Sequence, residues 1–376
     1  MKIVIAPDSF KESLSAIEVC NAIENGFKKT LPYAEYIKVP VADGGEGSLE
    51  VIENNLTTAQ NISVKVKSHL GNEIVAKYLV NDDTAIIELA QCCGLNLYPK
   101  NQRTPLIANT YGFGELIIDA LNRGIRKFIL TLGGSGTNDA GIGLLQALGV
   151  RFLNDKNEVI TRCYPKNISE IKTINLDNFD NRIKESSFKI ACDVNNVLCG
   201  KSGATYTFGK QKGLIDDQLD EIDKAIKVFA KLCKKTLNKD SENLAGVGAA
   251  GGTGFALATF LDAELVSGAE LILETINFDN HLNAADIVIV GEGKMDKQSL
   301  CGKIPITVAR KAKSYNVQKV IAIVGSYELK ESDIGNSAID AIFSCITHYT
   351  DLETILANAA KNIEQTANNI AKIIRL

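Results

Sequence analysis

Short aliphatic runs, each stopped by a polar or glycine-rich loop, alternate along the chain with stretches whose apolar residues recur every three or four positions. The first pattern predicts buried parallel strands and the second amphipathic helices. Lys2-Ile3-Val4-Ile5-Ala6 reads as a strand that stops at Pro7-Asp8-Ser9-Phe10-Lys11. Ser13 or Ser15 then caps a helix with Ile17, Val19, Ala22, Ile23 and Phe27 on its inner face, and Pro32 ends it. A second strand, Tyr36 to Val41, runs into Ala42-Asp43-Gly44-Gly45-Glu46-Gly47-Ser48, after which Leu49 to Ile52 resume as helix.

The pattern changes over residues 61 to 90, where Val64, Val66, Ile74, Ala76, Tyr78 and Val80 alternate with polar residues around Gly71-Asn72. That is the period of an antiparallel hairpin, and it sets a domain boundary near residue 60. A helix over Gly114 to Leu121 follows, then the apolar run Phe128-Ile129-Leu130 leads into TLGGSGTNDAGIG at 131–143. Beyond it come a strand at Phe188 to Cys192, a polar helix near Asp216 to Leu232, and GVGAAGGTG at 246–254 opening the apolar helix Phe255 to Leu261. Aliphatic strands return at Ile287–Val290, Val320–Val324 and Ala341–Cys345, with helices at Ile306–Ala312 and Leu352–Ile374. The last helix carries Leu352, Ile355, Leu356, Ala359, Ile363, Ala367 and Ile370 on one face, which predicts core packing.

Two strands at the start and three at the end make one doubly wound parallel sheet in flavodoxin-like order, 2-1-3-4-5. The expected architecture is α/β with two domains. Residues 1–60 and 284–376 form the flavodoxin-like domain, interrupted by an inserted second α/β domain, 61–283, that holds the glycine-rich loops.

Composition narrows the possible partners. At 376 residues the chain exceeds what one core fills, and 45% hydrophobic against 23% charged residues describes an ordinary globular protein. The balance of 41 basic and 45 acidic residues, without a Lys/Arg block, argues against nucleic acid or an anionic membrane and favours a small ligand. Pro7 and Asp8 interrupt the opening run too early for a secretion signal, and no apolar segment is long enough to span a bilayer, so a cytoplasmic location is expected. Nine cysteines without a CxxC pair read as reduced structural thiols, and three histidines without HExxH spacing leave little material for a zinc site or a Ser-His-Asp hydrolase.

The 131–143 segment has the composition of an anion cradle. Gly133, Gly134 and Gly136 let the backbone bend and approach a ligand, while Ser135, Thr137, Asn138 and Asp139 supply side-chain donors, acceptors and a helix cap. Free N–H groups at the start of the following helix would favour a phosphate. No GxxxxGK[ST] occurs, which excludes a P-loop, and the GxGxxG of Gly246, Gly248 and Gly251 follows Ser241-Glu242-Asn243-Leu244, which is no strand. That second loop reads either as a phosphate-contacting helix start or as a close-packing one.

Carboxylates collect at strand ends: Asp8, Asp43, Glu46, Asp139, Asp193, Glu292 and Asp296. Each alone also fits a cap or turn, but together they suggest one polar cleft between the domains. Lys11, Lys212, Lys294 and Lys303 accompany them in loops. Glycine backbone and Lys for phosphate, carboxylate for magnesium and one base for an acceptor hydroxyl are the inventory of phosphoryl transfer. A sensor that binds a sugar acid or nucleotide without turnover is the other reading, although it needs neither base nor metal.

From residue 1 to about residue 325 a series of motifs occurs in order: Asp8-Ser9-Phe10-Lys11 with Ser13-Leu14-Ser15-Ala16, Ala42-Asp43-Gly44-Gly45-Glu46-Gly47, GGSGTND at 133–139, Ala191-Cys192-Asp193-Val194, Gln211-Lys212-Gly213, GAAGG at 248–252 and GEGKMDKQSLCGK at 291–303. With these the chain resembles bacterial glycerate kinase of the type I family. The resemblance implies ATP- and Mg2+-dependent phosphorylation of D-glycerate, usually to 2-phosphoglycerate, on a flavodoxin-like domain with an inserted α/β domain. Departures are Glu12 where Gly is common, Gly136 for Ala, Val197 for Pro, Lys210 for Pro and Lys294 for Arg.

Under that resemblance the residues divide into roles. Gly133, Gly134, Ser135, Thr137, Asn138, Lys212, Gly248, Gly251 and Gly252 would bind the nucleotide. Asp8, Ser9, Lys11, Asp43, Glu46 and Gln298 would bind glycerate, and Asp43 and Asp296 magnesium. Asp193, Lys11 and Asp296 would be catalytic, with Asp193 the base, while Asp139 is mainly a helix cap. A kinase for another small hydroxy acid is the alternative substrate assignment.

Overall fold

A computed structural model of the chain describes residues 1–335, 337–348 and 350–375. Its strands are β1 (Lys2–Ile5), β2 (Glu35–Lys38), β3 (Gln60–Lys67), β4 (Glu73–Asn81), β5 (Thr84–Glu88), β6 (Lys127–Thr131), β7 (Arg151–Leu153), β8 (Thr173–Asn175), β9 (Ser187–Ala191), β10 (Glu264–Val266), β11 (Ile287–Met295), β12 (Lys319–Tyr327) and β13 (Ala341–Ser344). Two compact units result: Met1–Asp43 with Glu50–Thr57 and Ser267–Leu376, and Gly44–Leu49 with Thr58–Val266. Relative to divisions at residues 60 and 284, the first unit also takes in 267–283, where Asp279 pairs with Lys311 at 2.8 Å, and the second takes in Gly44–Leu49.

The first unit holds a five-stranded parallel sheet, β2-β1-β11-β12-β13, which is the order 2-1-3-4-5 when only its own strands are counted. The register sets Ile5 beside Ile289 and Ile289 beside Ile321, so branched side chains stack across the sheet. Helix Ala16–Lys28 covers them with Val19, Ile23 and Phe27. Ser15, not Ser13, is its cap: the Glu18 N–H donates to Ser15 Oγ (3.3 Å) while Ser15 N–H donates to the Glu18 carboxylate (2.8 Å). Helix Ala359–Arg375 packs on it through Ile363, Ala367 and Ile370, and contact is close enough that a Cβ on Gly26 would lie 2.3 Å from Glu364 O. The expected single closing helix is two, because Asn358 interrupts Leu352–Ala357 from the rest. Leu352 is 66% exposed and takes no part in the core.

The second unit is built on a six-stranded sheet, β10-β9-β6-β5-β4-β3. β3, β4 and β5 run antiparallel, with Val64 opposite Ala76 and Val66 opposite Ile74 as the alternation predicts, whereas β5, β6, β9 and β10 are parallel. Phe128 stacks on Phe188 at 4.7 Å on adjacent strands. Helix Asp216–Leu237 turns Leu219, Ile222, Ile226 and Phe229 inward, where Phe229 meets Phe152 and Phe255 edge-on. Among the described residues no helix is long and apolar enough to cross a membrane.

Candidate active site

In the second unit, β6 ends at Thr131 and the chain loops through Gly133–Asn138 before a six-residue helix, Ile142–Ala147. The N–H groups that open this helix are already occupied. Gly141 N and Gly143 N donate to the Asp139 carboxylate (3.2 and 3.1 Å), Ile142 N to Asp139 O (3.0 Å) and Leu144 N to Thr110 Oγ1 (2.9 Å). The expectation of free N–H groups waiting there for a phosphate is therefore corrected. Asp139 also accepts from Thr110 N and Oγ1, both at 2.9 Å, and is fully buried. Burial raises its pKa against the pull of these hydrogen bonds. It is a cap and an internal clamp.

An anion would instead meet the loop itself, of which Gly134 is exposed and Gly133 half-buried. Ser135, Thr137 and Asn138 are buried, and Lys212 supports them: its ammonium donates to Ser135 Oγ (2.8 Å) and Thr137 O (2.6 Å). Burial pushes the Lys212 pKa down to about 7, with Asp139 opposing. Asn138 Nδ2 donates to Thr205 Oγ1 (3.0 Å), yet Thr137 Oγ1 and Asn138 Oδ1 have no partner among the described residues.

The second glycine loop buttresses the first. Ala250, Gly251 and Gly252 have φ of +53°, +64° and +88°, and a Cβ on Gly251 would lie 2.2 Å from Thr137 O. Ala140 N donates to Gly251 O (2.9 Å), and a Cβ on Gly248 would meet Val197 O at 2.3 Å. Gly248 and Gly251 thus face protein backbone, and Gly252 faces the Leu198 side chain and Ala140. His69, set aside on sequence grounds, lies under the same loop, with Nε2 3.3 Å from where a Gly136 Cβ would be. Burial pushes its pKa down to about 4. No local pattern marks it.

Glu46 belongs with this loop. Gly133 N donates to Gly44 O (3.2 Å), a Cβ on Gly134 would meet Glu46 Cβ at 2.9 Å, and Asn96 Nδ2 reaches both Glu46 oxygens (3.2 and 2.9 Å). Buried Glu88 fixes the segment by accepting from Gly47 N (3.1 Å) and Leu49 N (2.8 Å). A Cβ on Gly44 would also touch Ala191 Cβ at 2.8 Å, which brings in the end of β9. Asp193 follows two residues later, on the surface.

In the first unit the segments after β1 and β2 run beside β11: Asp8 N donates to Gly291 O (2.9 Å) and Val41 N to Pro7 O (3.1 Å). Asp8 accepts from Ser9 N (2.6 Å), and its pKa rises to about 7 through burial first, then Asp43 and Glu292, against Lys11. Glu292 is raised to about 7 by burial, with Asp296 and Asp43 adding and the Ser299 hydroxyl and Lys303 opposing. Asp296 Oδ1 accepts from Gln298 N (2.8 Å) and Ser299 N (3.3 Å), closing a turn. Lys11 and Gln298 are exposed, and Lys294 pairs with Glu328 (2.9 Å) at the surface. Among the described residues no three His, Cys, Asp or Glu side chains are arranged to hold a metal ion, and the free cysteines are buried or half-buried. Glu292 and Lys303, which carry no assigned role from sequence, join Asp8, Asp43 and Asp296; the signal was a lone Glu directly after an all-aliphatic strand.

The model of the glycerate kinase family matches residues 3–375. The chain belongs to the glycerate kinase family. Glycerate kinase of Bacillus cereus (strain ATCC 10987) is 44% identical over 378 residues, covering 100% of this chain and 98% of the relative. Glycerate 2-kinase of Escherichia coli K12 is 41% identical over 378 residues, with the same coverage of 100% and 98%. A crystal structure from Salmonella typhimurium LT2, of a protein provisionally named glycerate kinase 2, superposes with a TM-score of 0.84 at 41% identity, covering 100% of this chain and 98% of that one. As a glycerate kinase family member the chain is an enzyme, and its departures from the family motifs take on structural meaning. Glu12, where Gly is common, sits at φ +64°, a left-handed conformation that Gly adopts without strain. Gly136, where Ala is common, leaves the space that His69 borders. Lys210 pairs with Asp216 (2.6 Å) at the surface.

Proposed function

We propose that this enzyme transfers the γ-phosphoryl group of ATP to D-glycerate, giving 2-phosphoglycerate. The observation that carries the reading is the loop Gly133–Asn138: glycine backbone at the surface, a buried ammonium beneath, and a buried hydroxyl, Thr137 Oγ1, that can donate and has no partner among the described residues. Such a loop suits nucleotide phosphates. Gly248, Gly251 and Gly252 support it from behind, and the Lys212 ammonium adds positive charge to it.

The first unit's Asp8, Ser9, Lys11, Asp43 and Gln298 bind the hydroxy acid, with the Lys11 ammonium meeting its carboxylate. Magnesium, when bound, neutralises charge on the phosphate oxygens. Asp43 and Asp296 are the pair to hold it, which fits an ion that takes one or two carboxylates and completes its shell with water and phosphate. Asp193 accepts the proton of the attacking hydroxyl, a role worth on the order of 100- to 10,000-fold in rate. Reliance on ATP places the reaction in the cytoplasm.

A coupled assay of ADP release with D-glycerate and a panel of hydroxy acids, followed by phosphorus NMR of the product, tests the reading. D-glycerate should be the best substrate and 2-phosphoglycerate the product. Tight binding of D-glycerate without ADP release would overturn the kinase assignment, and a better hydroxy acid would overturn the substrate. Asp193→Asn should lower kcat by about 100-fold or more with glycerate affinity retained. Near-normal turnover would remove Asp193 as base.

A further inference from the structure

Glu292 lies in β11 opposite Val324 of β12 and beyond the last β1 pairing, Ile5 with Ile289, on the carboxyl side of β1, where open α/β sheets bind ligands. Its side chain is 7% exposed, and Oε1 has no hydrogen-bond partner among the described residues. Native structures leave few buried polar atoms in that condition, and an oxygen of this kind calls for a donor from a ligand. Ser299 and Lys303 are its favourable neighbours, while Asp43, Asp296 and Asp8 surround it with like charge.

The chemistry of the acceptor selects the donor. A phosphate or carboxylate oxygen has no proton to offer Oε1, and the hydroxyl that reacts gives its proton to the base, Asp193 in the reading above. The hydroxyl that takes no part in the transfer keeps its proton and can donate it. We propose that Glu292 Oε1 accepts a hydrogen bond from the hydroxyl of the hydroxy acid that is not phosphorylated, which makes Glu292 a substrate-binding residue that selects a dihydroxy acid over a monohydroxy one. The inference rests on the preceding functional reading, under which that group is the 3-hydroxyl of D-glycerate. A site built to bond a hydroxyl rejects the analogue lacking it, because the buried acceptor is then left unpaired.

The test compares kcat/KM for D-glycerate and D-lactate, which keeps the 2-hydroxyl and lacks the 3-hydroxyl, in the wild-type enzyme, Glu292→Gln and Glu292→Ala. The wild-type enzyme should prefer D-glycerate by about 100-fold or more. Glu292→Ala should lose most of that preference by lowering the D-glycerate value while D-lactate stays within about threefold. Glu292→Gln keeps a carbonyl acceptor and the side-chain volume and should fall between the two. A merely structural role would lower both substrates together, and that result, or a preference unchanged in Glu292→Ala, overturns the proposal. Absence of ADP release from the wild-type enzyme with either acid would instead overturn the kinase reading on which it stands.

Discussion

The two groups of candidate residues are made from opposite materials. Around Gly133–Asn138 the chemistry is backbone, and each charged group beneath it is answered: Lys212 has two acceptors and Asp139 accepts from four donors. At the ends of β1 and β11 the chemistry is side-chain carboxylate, crowded with like charge, and Glu292 keeps an oxygen unanswered. Burial nonetheless moves both toward neutrality, Lys212 down to about 7 and Asp8 and Glu292 up to about 7. Both leave polar atoms open among the described residues, Thr137 Oγ1 and Asn138 Oδ1 at the loop and Glu292 Oε1 at the acid patch, but the charges at the loop are met by protein partners while those of the patch stand among like charge.

The strongest way to break this contrast is to remove an internal partner from the loop. Asp139→Ala strands the N–H groups of Thr110, Gly141 and Gly143 inside the second unit and should cost about 3 to 5 kcal/mol, read by chemical denaturation. A cost under about 1 kcal/mol would mean that the loop does not depend on its clamp. Gly251→Ala comes next. A methyl group there would sit 2.2 Å from Thr137 O at φ +64°, so about 2 to 4 kcal/mol should be lost, with nucleotide affinity falling as the loop is displaced. Unchanged ATP affinity in a destabilised Gly251→Ala would detach the second glycine loop from binding.

The pH dependence of stability sharpens the comparison, because the two regions have opposite signs. Asp8 and Glu292 have folded-state pKa values above their ordinary ones, so the folded state holds more protons and stability falls as pH rises from about 4 to about 7. Lys212 has a folded-state value below its ordinary one, so stability rises between about 7 and about 10. Glu292→Gln should flatten the acid limb and Lys212→Met the alkaline limb, each by on the order of 1 to 3 kcal/mol in thermal or denaturant unfolding measured against wild type. Parallel curves for variant and wild type would show that the groups titrate normally.

Much of the fold was legible because it follows from short-range pattern. Aliphatic runs before Asp8 and Glu292 mark parallel strands, alternation from Val64 to Val80 marks the hairpin, and Ser13 or Ser15 ahead of the Ile17 to Phe27 spacing marks a helix start. What the sequence hid depends on contacts between distant segments. The claim of Asp139 on Thr110, the support of Ser135 by Lys212 across 77 positions and the closeness of Glu46 to Gly134 have no local signature. The glycines of 248–252 illustrate the ambiguity: a loop that cradles phosphate and a loop that packs on another backbone ask for the same residue. The break at Asn358 was missed because the apolar spacing continues across it while the backbone does not.

The smallest expected effect concerns Lys294, which the sequence grouped with the phosphate lysines. Its ammonium pairs with Glu328 at 2.9 Å, and the two side chains are 51% and 70% exposed. A pair so open to water is screened and loses side-chain entropy when it forms, so Lys294→Ala should change stability by less than about 1 kcal/mol. Position along β11 separates Lys294 from Glu292: the two side chains leave the strand on the same face, yet Glu292 is buried among acids, whereas Lys294, still paired with Ser326 of β12, is exposed. Steady-state kinetics of Lys294→Ala should therefore match wild type within about threefold at low and moderate salt. A loss of tenfold or more, removed by added salt, would show that the ammonium acts on a phosphate at long range and would extend the acid patch into a mixed-charge site.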